Sequence, residues 1–214
     1  MNARIVNAGD AALVVELDER IDVQVNAKAV ALAASVHAAR LAGVLDVVPT
    51  FRSVAVYFDP VEVDLPRLHE LLEQVDAASV TVPRAPREHR ISVHYGGAAG
   101  PDLADVALAA GMSEDEVVAR HAGASYRVFM LGFLPGFAYL GPLDASLARP
   151  RRATPRARVP AGSVAIAGML TGIYPMESPG GWHLIGRTAI NLFDAGSSPP
   201  ALLEAGDSVR FSIG

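Results

Sequence analysis

Arginine is concentrated in one segment of this sequence, and acidic residues are absent from the same segment. No Asp or Glu lies between Asp144 and Glu177, and five arginines do: Arg149, Arg151, Arg152, Arg156 and Arg158. Guanidinium groups bind carboxylates and phosphates through paired hydrogen bonds. The segment is therefore suited to bind an anion or an acidic partner surface. A solvated basic loop is the alternative interpretation.

Prolines favour the binding interpretation. Pro150, Pro155 and Pro160 interrupt the arginine segment. Each proline fixes φ, so the guanidinium groups between them are partly preorganised, which a solvated loop does not require. Arg187, in the sequence IGRT, could add a further cation from a different segment.

Residues 132–188 are unusually rich in glycine and proline. Of the chain's 19 glycines and 15 prolines, 16 lie within this range, which indicates a backbone held in specific turns. An aromatic cluster shares the range or borders it, with Pro135 and Gly136 inside it: Phe129, Phe133, Phe137 and Tyr139. These rings either belong to the core or shape a pocket. Ser178-Pro179-Gly180-Gly181-Trp182 contains the only tryptophan, which is either packed in the core or forms a pocket wall.

Three residues are candidates for acid–base or substrate-binding roles. His183 lies within GGWHLIG, and His94 precedes the Gly96-Gly97 turn, so either could be a general acid or base. Asp102 could cap a helix or bind substrate. The six histidines show no metal-binding spacing, and no GxSxG nucleophile motif is present. No metal site is predicted, and no catalytic base is assigned.

The composition excludes several classes of function. Lys28 is the only lysine and does not follow a glycine, so the chain has no Walker A loop. With no cysteine, thiol nucleophiles and cysteine-based zinc sites are excluded. A net charge of −5 argues against nucleic acid as a partner. Apolar runs fall short of the ~20 residues of a membrane span, and the early Asp10 and Glu16 argue against a signal peptide, so the prediction is a cytoplasmic protein.

Hydrophobic periodicity predicts a first domain over residues 1–83. It predicts strands at Ala12–Leu17, Val44–Val48, Ser53–Phe58 and Ser79–Val82. It also predicts an alanine-rich helix over Asp22–Leu41 ended by Gly43, and a second helix capped by Asp64 with Pro66 in its first turn. This β-α-β-β-α-β order is typical of a ferredoxin-like domain.

A proline-interrupted linker is predicted at residues 84–90, followed by a second domain at 91–214. A helical insertion at about 101–121 comprises a helix over Pro101–Ala110 and another that Ser113 opens with a capping box. Short strand-like runs predict a small β-barrel: Ile91–Tyr95, Ser125–Leu131, Ala161–Ala167, Gly181–Ile185, Ala189–Phe193 and Ser208–Ile213. The predicted fold class is α+β.

A series of motifs in a fixed order resembles a known family. They read VPTFRS (48–53), YGG (95–97), GPDL (100–103), GFLPGFAYL (132–140), PRRATPRARVPAGSV (150–164), TGIYP (171–175), SPGGW (178–182) and GRT (186–188). This sequence resembles the 5-oxoprolinase B-subunit family, also called the Kip inhibitor (KipI) or allophanate hydrolase subunit 1 family, from end to end. The resemblance implies a ferredoxin-like domain followed by a cyclophilin-like β-barrel.

The resemblance also implies a function. Family members work with a larger carboxyltransferase-like subunit, which is of the 5-oxoprolinase C type or Kip antagonist type, and with a third subunit of the A type. The complex hydrolyses 5-oxoproline to glutamate and consumes ATP, and this chain is expected to be inactive alone. Inhibition of a sensor histidine kinase is the alternative. A component of a urea or allophanate carboxyltransferase or hydrolase system is a weaker one.

The arginines then have a specific expected role, because lactam activation by ATP requires binding of phosphate and of the substrate carboxylate. We expect Arg151, Arg156, Arg158 and Arg187 to line one anion pocket that the partner completes. The remaining residues expected to bind substrate are Tyr174, Ser178, Gly180, Gly181 and Trp182, and those expected to shape the pocket are Phe133, Pro135, Gly136, Phe137 and Tyr139.

Overall fold

In the first part of the chain, strands with alternating apolar residues form an antiparallel sheet. Helices cover this sheet. The computed structural model describes residues 3–73 and 85–214. The chain divides into two compact units, Met1–Ala85 and Pro86–Gly214. The first contains β1 (Arg4–Asn7), β2 (Ala12–Glu16), α1 (Val23–Ala39), β3 (Val44–Pro49), β4 (Ser53–Phe58) and α2 (Leu65–Glu73). Its sheet has the strand order β1-β2-β4-β3 with antiparallel neighbours.

The core of the first unit lies on one face of this sheet. Leu13 on β2 is opposite Val56 on β4, and both pack with Leu32 of α1 and Leu68 of α2. Because side chains alternate between the two faces of a strand, every second residue of β2 and β4 is buried. The strands and helices predicted within the described residues of this unit are therefore confirmed.

Two details of the first unit differ from the prediction, and one predicted strand falls outside the described residues. β1 was not predicted, and it pairs with β2 along the edge of the sheet. Helix α1 ends at Ala39 rather than near Gly43, because Arg40 takes the left-handed conformation at φ 46° and caps it. The predicted strand Ser79–Val82 lies outside the described residues, so the ferredoxin-like arrangement stays a prediction.

The second unit is built around a closed barrel. Its elements are β5 (Glu88–Tyr95), α3 (Leu103–Ala110), α4 (Glu114–Gly123), β6 (Ser125–Leu131), β7 (Ala138–Gly141), a 3-10 helix (Ala145–Leu147), β8 (Arg156–Val159), β9 (Ser163–Ala167), β10 (Leu170–Ile173), β11 (Ser178–Gly180), β12 (His183–Arg187) and β13 (Ser208–Ile213). Seven strands close in the order β10-β7-β6-β13-β5-β12-β9, and β8 pairs with β11 in a separate two-stranded ribbon. The predicted β-barrel is confirmed.

Apolar side chains fill the barrel. Val93, Val128, Ile166 and Ile185 come from four different strands and are all fully buried in one cluster. A second cluster around Phe137, Tyr174 and Trp182 packs beside it. The helices α3 and α4 lie close to the predicted bounds, and the Ser113 capping box is present, with Glu116 accepting from the Ser113 backbone N–H at 2.8 Å.

Two predictions for the second unit are wrong. Residues 189–193 do not form a strand, because the side chains of Thr188 and Asn191 accept hydrogen bonds from the backbone N–H groups of Ile190 and Phe193. Such local bonds compete with strand pairing. Residues 88–90 do not belong to a linker, since β5 already begins at Glu88 and pairs there in parallel with β13.

Four strands were not predicted from the sequence: β7, β8, β10 and β11. Each has only three or four residues, and glycine, proline or arginine interrupts its pattern. The ribbon of β8 and β11 matters most for function, because it carries the predicted site residues Arg156, Arg158, Ser178 and Gly180.

Candidate functional site

A buried carboxylate anchors the arginine segment. The side chain of Asp102, 2% exposed, accepts hydrogen bonds from Arg152 Nη1 at 3.0 Å and Arg156 Nη2 at 2.6 Å. Its other oxygen accepts from the Leu184 backbone N–H at 2.7 Å. Asp102 therefore ties the arginine segment to β12.

The charge on Asp102 is maintained by these partners. Burial alone would raise the pKa of this carboxyl group, but the hydrogen bonds from Arg156 and the Leu184 amide, with the charges of Arg156 and Arg152, outweigh it and hold the pKa below its usual range. An ionised carboxylate with these bonds is a structural anchor. Asp102 does not cap α3 with its side chain, and it does not line either cavity described below.

An aromatic cavity lies beside the anchored segment. We call it the aromatic cavity; its volume is about 190 Å³. Its lining residues come from the β6–β7 turn, the arginine segment and the β10–β12 region: Phe133, Phe137, Tyr139, Arg151, Pro155, Tyr174, Pro179, Gly180, Gly181 and Trp182. Eight of these ten were predicted as binding or pocket-shaping residues, namely all except Pro155 and Pro179.

The rings of this cavity pack edge to face. Phe137 contacts Tyr174 and Trp182 at centroid distances of 5.3 and 5.7 Å, and Tyr139 contacts Phe137 at 5.0 Å. Such geometry gives a rigid apolar wall. Gly180 allows the Tyr174 hydroxyl to approach the backbone, since a Cβ at that position would collide with the hydroxyl group.

Phe133 occupies the mouth of the cavity in an unusual conformation. Its φ is 70°, and its side chain is 60% exposed while its ring lies 5.5 Å from that of Phe137. A left-handed conformation is strained for a bulky residue, and such strain often marks a functional position.

Arg151 is the cation of the aromatic cavity. Within residues 3–73 and 85–214 it forms no ion pair. Its charge acts on the Tyr174 hydroxyl: burial raises the pKa of Tyr174, and Arg151 opposes that rise. A guanidinium group at an apolar wall is suited to bind a carboxylate beside an apolar ring.

The four arginines predicted to share one pocket lie in different surroundings. Arg156 bonds to Asp102, and the exposed Arg158 forms a two-point ion pair with Glu177, with both N–O distances 2.9 Å. Arg187 lines a second cavity. The single four-arginine pocket therefore does not form within this chain, because fixed carboxylates neutralise two of its members.

The second cavity is larger and more open. We call it the Arg187 cavity; its volume is about 490 Å³. It is lined by His94, Ala99, Ala161, Gly162, Pro175, Arg187, Thr188, Ala189, Ile190 and Asn191. Of the three acid–base candidates, His94 lines this cavity, and His183 and Asp102 line neither of the two cavities described.

His183 stabilises the arginine segment instead. Its Nε2 lies 3.0 Å from the Pro150 carbonyl oxygen, so Nε2 carries the proton and donates it. Its buried Nδ1 has no hydrogen-bond partner in the described chain. The ring therefore has a fixed contact with Pro150 and does not line the aromatic cavity.

The remaining predicted residues do not line the aromatic cavity. Ser178 Oγ donates to the Pro179 carbonyl oxygen at 3.1 Å. Gly136 has φ 78° and packs so closely on Phe193 that a Cβ would lie 2.7 Å from the Phe193 Cβ. Pro135 is not among the lining residues.

Sequence reasoning missed one buried histidine. His121 is fully buried on α4, stacked on Phe211 with a centroid distance of 4.7 Å, and 2.8 Å from both the Tyr95 hydroxyl and Thr171 Oγ1. Thr171 Oγ1 donates to the Ala165 carbonyl, so it accepts from Nε2–H, and Nδ1 accepts from Tyr95. Burial lowers the pKa of His121 to about 3.

No signal in the sequence distinguishes His121 from a surface histidine, since it follows an arginine in a helix with acidic residues in its first turn. Residues 3–73 and 85–214 contain no cluster of side chains able to hold a metal ion. Over the same ranges, the helices are too short or too polar to cross a membrane.

Comparison with known proteins places the chain in a family. A sequence model of the carboxyltransferase domain, subdomain C and D, matches residues 3–203. The chain belongs to this family. The resemblance to the B subunit of 5-oxoprolinase is confirmed by that protein from Bacillus subtilis (strain 168), which is 40% identical over 97% of this chain and 91% of its own length. Its counterpart from Escherichia coli O157:H7 is 41% identical over 98% of this chain and 95% of its own length.

Two solved structures share the fold of this chain. The crystal structure of TTHA0988 superposes with a TM-score of 0.87 and 37% identity over 95% of this chain, which spans only 40% of that longer chain. The Kluyveromyces lactis urea carboxylase shares the fold, with a TM-score of 0.76 at 21% identity over 98% of this chain and 21% of that chain.

The aromatic cavity and the Arg187 cavity both lie in the C-terminal unit and differ in chemistry. The aromatic cavity is small and apolar, with one arginine. The Arg187 cavity is larger and places an arginine beside a histidine. The first matches the predicted substrate-binding residues, and the second was not predicted as a separate site.

Proposed function

We propose that this protein is a component of an ATP-dependent 5-oxoprolinase complex that cleaves 5-oxo-L-proline to L-glutamate. The observation that carries the proposal is the 40% identity to the B subunit of 5-oxoprolinase over 97% of the chain. In this function the aromatic cavity binds the substrate.

The geometry of the aromatic cavity supports this substrate. At about 190 Å³ it is smaller than the ~300–1,000 Å³ of pockets that bind drug-sized ligands, so its ligand is small. A five-membered lactam would lie against the rings of Phe137 and Trp182, and its carboxylate would pair with Arg151.

The lining also supports a chain that depends on its partners for catalysis. Among the described residues of the aromatic cavity there is no Asp, Glu, His, Lys or Ser. Lactam hydrolysis needs a group that activates water and groups that stabilise developing charge. In this proposal a partner supplies the base, and the chain alone binds substrate without turning it over.

TTHA0988 supports a partnership with a larger subunit, since the matching region covers only 40% of that chain. The proposed partners are a larger carboxyltransferase-like subunit, of the 5-oxoprolinase C type or Kip antagonist type, and a third subunit of the A type. ATP is a substrate of the assembled complex, and the proposed compartment is the cytoplasm. The fold proposed is that of the family, a ferredoxin-like domain over residues 1–83 followed by a cyclophilin-like barrel.

A glutamate-release assay tests the proposal. The chain receives 5-oxoproline and ATP, first alone and then together with the two proposed partners. We expect glutamate and ADP only in the complete mixture. A stable complex that releases no glutamate would exclude 5-oxoproline, and failure to form any complex would favour the histidine-kinase regulator.

Arg151→Gln tests the role of the cavity within the active complex. Losing a charged hydrogen bond to the substrate carboxylate should raise KM for 5-oxoproline about tenfold or more. Arg158→Gln is the matched control, because Arg158 lies outside the cavity and pairs with Glu177. Equal KM values in the two variants would place the substrate elsewhere.

A further inference from the structure

Two of the arginines that form no ion pair in the described part of the chain line cavities. Arg152 and Arg156 pair with Asp102, and Arg158 pairs with Glu177. Over the part of the chain that the structure describes, Arg151 and Arg187 form no ion pair, and each lines one cavity. The fold therefore leaves a second cation, Arg187, available to a ligand.

His94 stands directly beside Arg187. The two residues are cross-strand partners, His94 on β5 and Arg187 on β12, so their side chains lie on the same face of the barrel wall. Facing positions in an antiparallel pair have Cβ atoms about 5 Å apart. His94 also forms no ion pair among residues 3–73 and 85–214, and both side chains are exposed. An anion that lies between Arg187 and His94 can bind to both side chains.

The orientation of the guanidinium group is partly fixed. Arg187 Nε donates to the Ala161 carbonyl oxygen at 2.9 Å. This bond leaves the two terminal NH₂ groups of Arg187 for a ligand, and the His94 ring supplies a further donor. A carboxylate offers two oxygens to such a set, whereas a terminal phosphate group offers three.

The cavity is large enough for a phosphate-bearing ligand. Its volume of about 490 Å³ falls within the ~300–1,000 Å³ typical of sites for drug-sized ligands, unlike the aromatic cavity. We propose that the Arg187 cavity binds a phosphate-bearing ligand through Arg187 and His94. It is a second site, separate from the aromatic cavity.

One short segment separates the two sites. Tyr174 lines the aromatic cavity, and the next residue, Pro175, lines the Arg187 cavity. The segment is held by a 2.7 Å hydrogen bond from the Gly162 N–H to the Tyr174 carbonyl oxygen. The two proposed ligand sites therefore meet at adjacent residues of the chain. The proposal stands on this geometry alone and does not require the 5-oxoprolinase function.

Titration calorimetry on the full chain tests the site, with inorganic phosphate, pyrophosphate, ADP and ATP as separate probes. We expect saturable binding of at least one probe, and at least tenfold weaker binding in Arg187→Gln and in His94→Gln. Arg158→Gln, an exposed arginine outside both cavities, should bind like the unaltered protein. The comparison among probes distinguishes a nucleotide from a free phosphate.

Chemical shifts of the histidine rings locate the ligand. The His94 resonances should move on addition of the bound probe in the unaltered protein and in Arg151→Gln, but not in Arg187→Gln. Absence of saturable binding for all four probes, equal binding in the Arg187 and Arg158 variants, or loss of binding in Arg151→Gln alone would each overturn the proposal. None of these outcomes bears on glutamate release.

Discussion

At the scale of single residues, fixed partners decide which charged groups remain available for ligands. Asp102 holds Arg152 and Arg156, and Glu177 holds Arg158. Arg151 and Arg187 keep their charge exposed to a cavity. The two arginines proposed to bind ligands are thus among those that form no ion pair in the described residues, and Asp102 holds the segment that carries Arg151 through Arg152 and Arg156.

Asp102→Asn should destabilise the protein strongly. Asparagine keeps the shape but leaves Arg152 and Arg156 without a counter-charge, and breaking a buried ion pair costs about 3–5 kcal/mol. We expect the lower end, about 3 kcal/mol by urea denaturation, since both arginines are partly exposed.

Glu177→Gln is the control for that measurement. It breaks the exposed ion pair with Arg158, which should leave the free energy of unfolding unchanged within error. If both variants were equally stable, Asp102 would not anchor the arginine segment.

His121 should make stability fall at acidic pH. The folded protein keeps His121 neutral, because burial lowers its pKa to about 3, whereas an exposed histidine in the unfolded chain binds a proton near pH 6.5. The stability of the folded state is therefore complete above about pH 6.5 and is lost as the pH falls towards 3, by about 1.4 kcal/mol per pH unit.

Unfolding free energies at pH 7, 6 and 5 for the unaltered protein and for His121→Gln measure this effect. Glutamine offers a donor and an acceptor but does not titrate in this range. As the pH falls, the free energy of unfolding of the unaltered protein should decrease relative to that of His121→Gln. A difference that is independent of pH would contradict the assignment of a neutral buried histidine.

At the scale of elements, the ribbon of β8 and β11 brings the arginine segment to the aromatic cavity. Gly180 of β11 is opposite Arg156 of β8, and the Arg152 backbone N–H donates to the Gly181 carbonyl oxygen at 2.8 Å. The cavity wall therefore depends on close contact between this ribbon and Tyr174, which glycine at position 180 permits.

Gly180→Ala should disrupt this contact. Its Cβ would collide with the Tyr174 hydroxyl group and lie 2.8 Å from the ring carbon that carries it. Overpacking of this kind costs about 1–3 kcal/mol, measured by thermal or urea unfolding, and should also weaken 5-oxoproline binding. Gly181→Ala is the matched control, because its nearest contact would be an ordinary 3.7 Å to Pro155. Equal losses in both variants would mean that the Tyr174 contact is not decisive.

At the scale of the whole molecule, each unit has a hydrophobic core of its own. The core of Met1–Ala85 contains Leu13, Leu32 and Val56, and that of Pro86–Gly214 contains Val93, Val128 and Ile166. Both candidate sites lie entirely within the second unit. Ligand binding should therefore not require the first unit.

A fragment of residues 86–214 should fold on its own and keep the aromatic cavity. We expect a cooperative unfolding transition and protection of Trp182 fluorescence from a soluble quencher, because Trp182 is only 5% exposed. A fragment that unfolds without cooperativity, or that exposes Trp182, would show that the two units depend on one another for stability.

Local sequence signals predicted much of the local structure and many of the residues that line the aromatic cavity. Periodicity predicted α1, α2 and β4, and the capping box at Ser113 predicted the start of α4, because these signals depend on residues within a few positions of each other. Eight of the ten lining residues were also predicted, since glycine, proline and aromatic residues cluster in one segment.

The pairing of charges depends on contacts between residues that are far apart in the sequence. Asp102 lies 50 and 54 positions from Arg152 and Arg156. His94 and Arg187 are distant in sequence, and barrel closure places them opposite each other on neighbouring strands. Burial of His121 depends on strands from both ends of the second unit. Pairing and burial of this kind arise from long-range contacts, whereas sequence signals are local. The sequence therefore predicted one anion pocket, and the structure places Arg151 and Arg187 in two separate cavities.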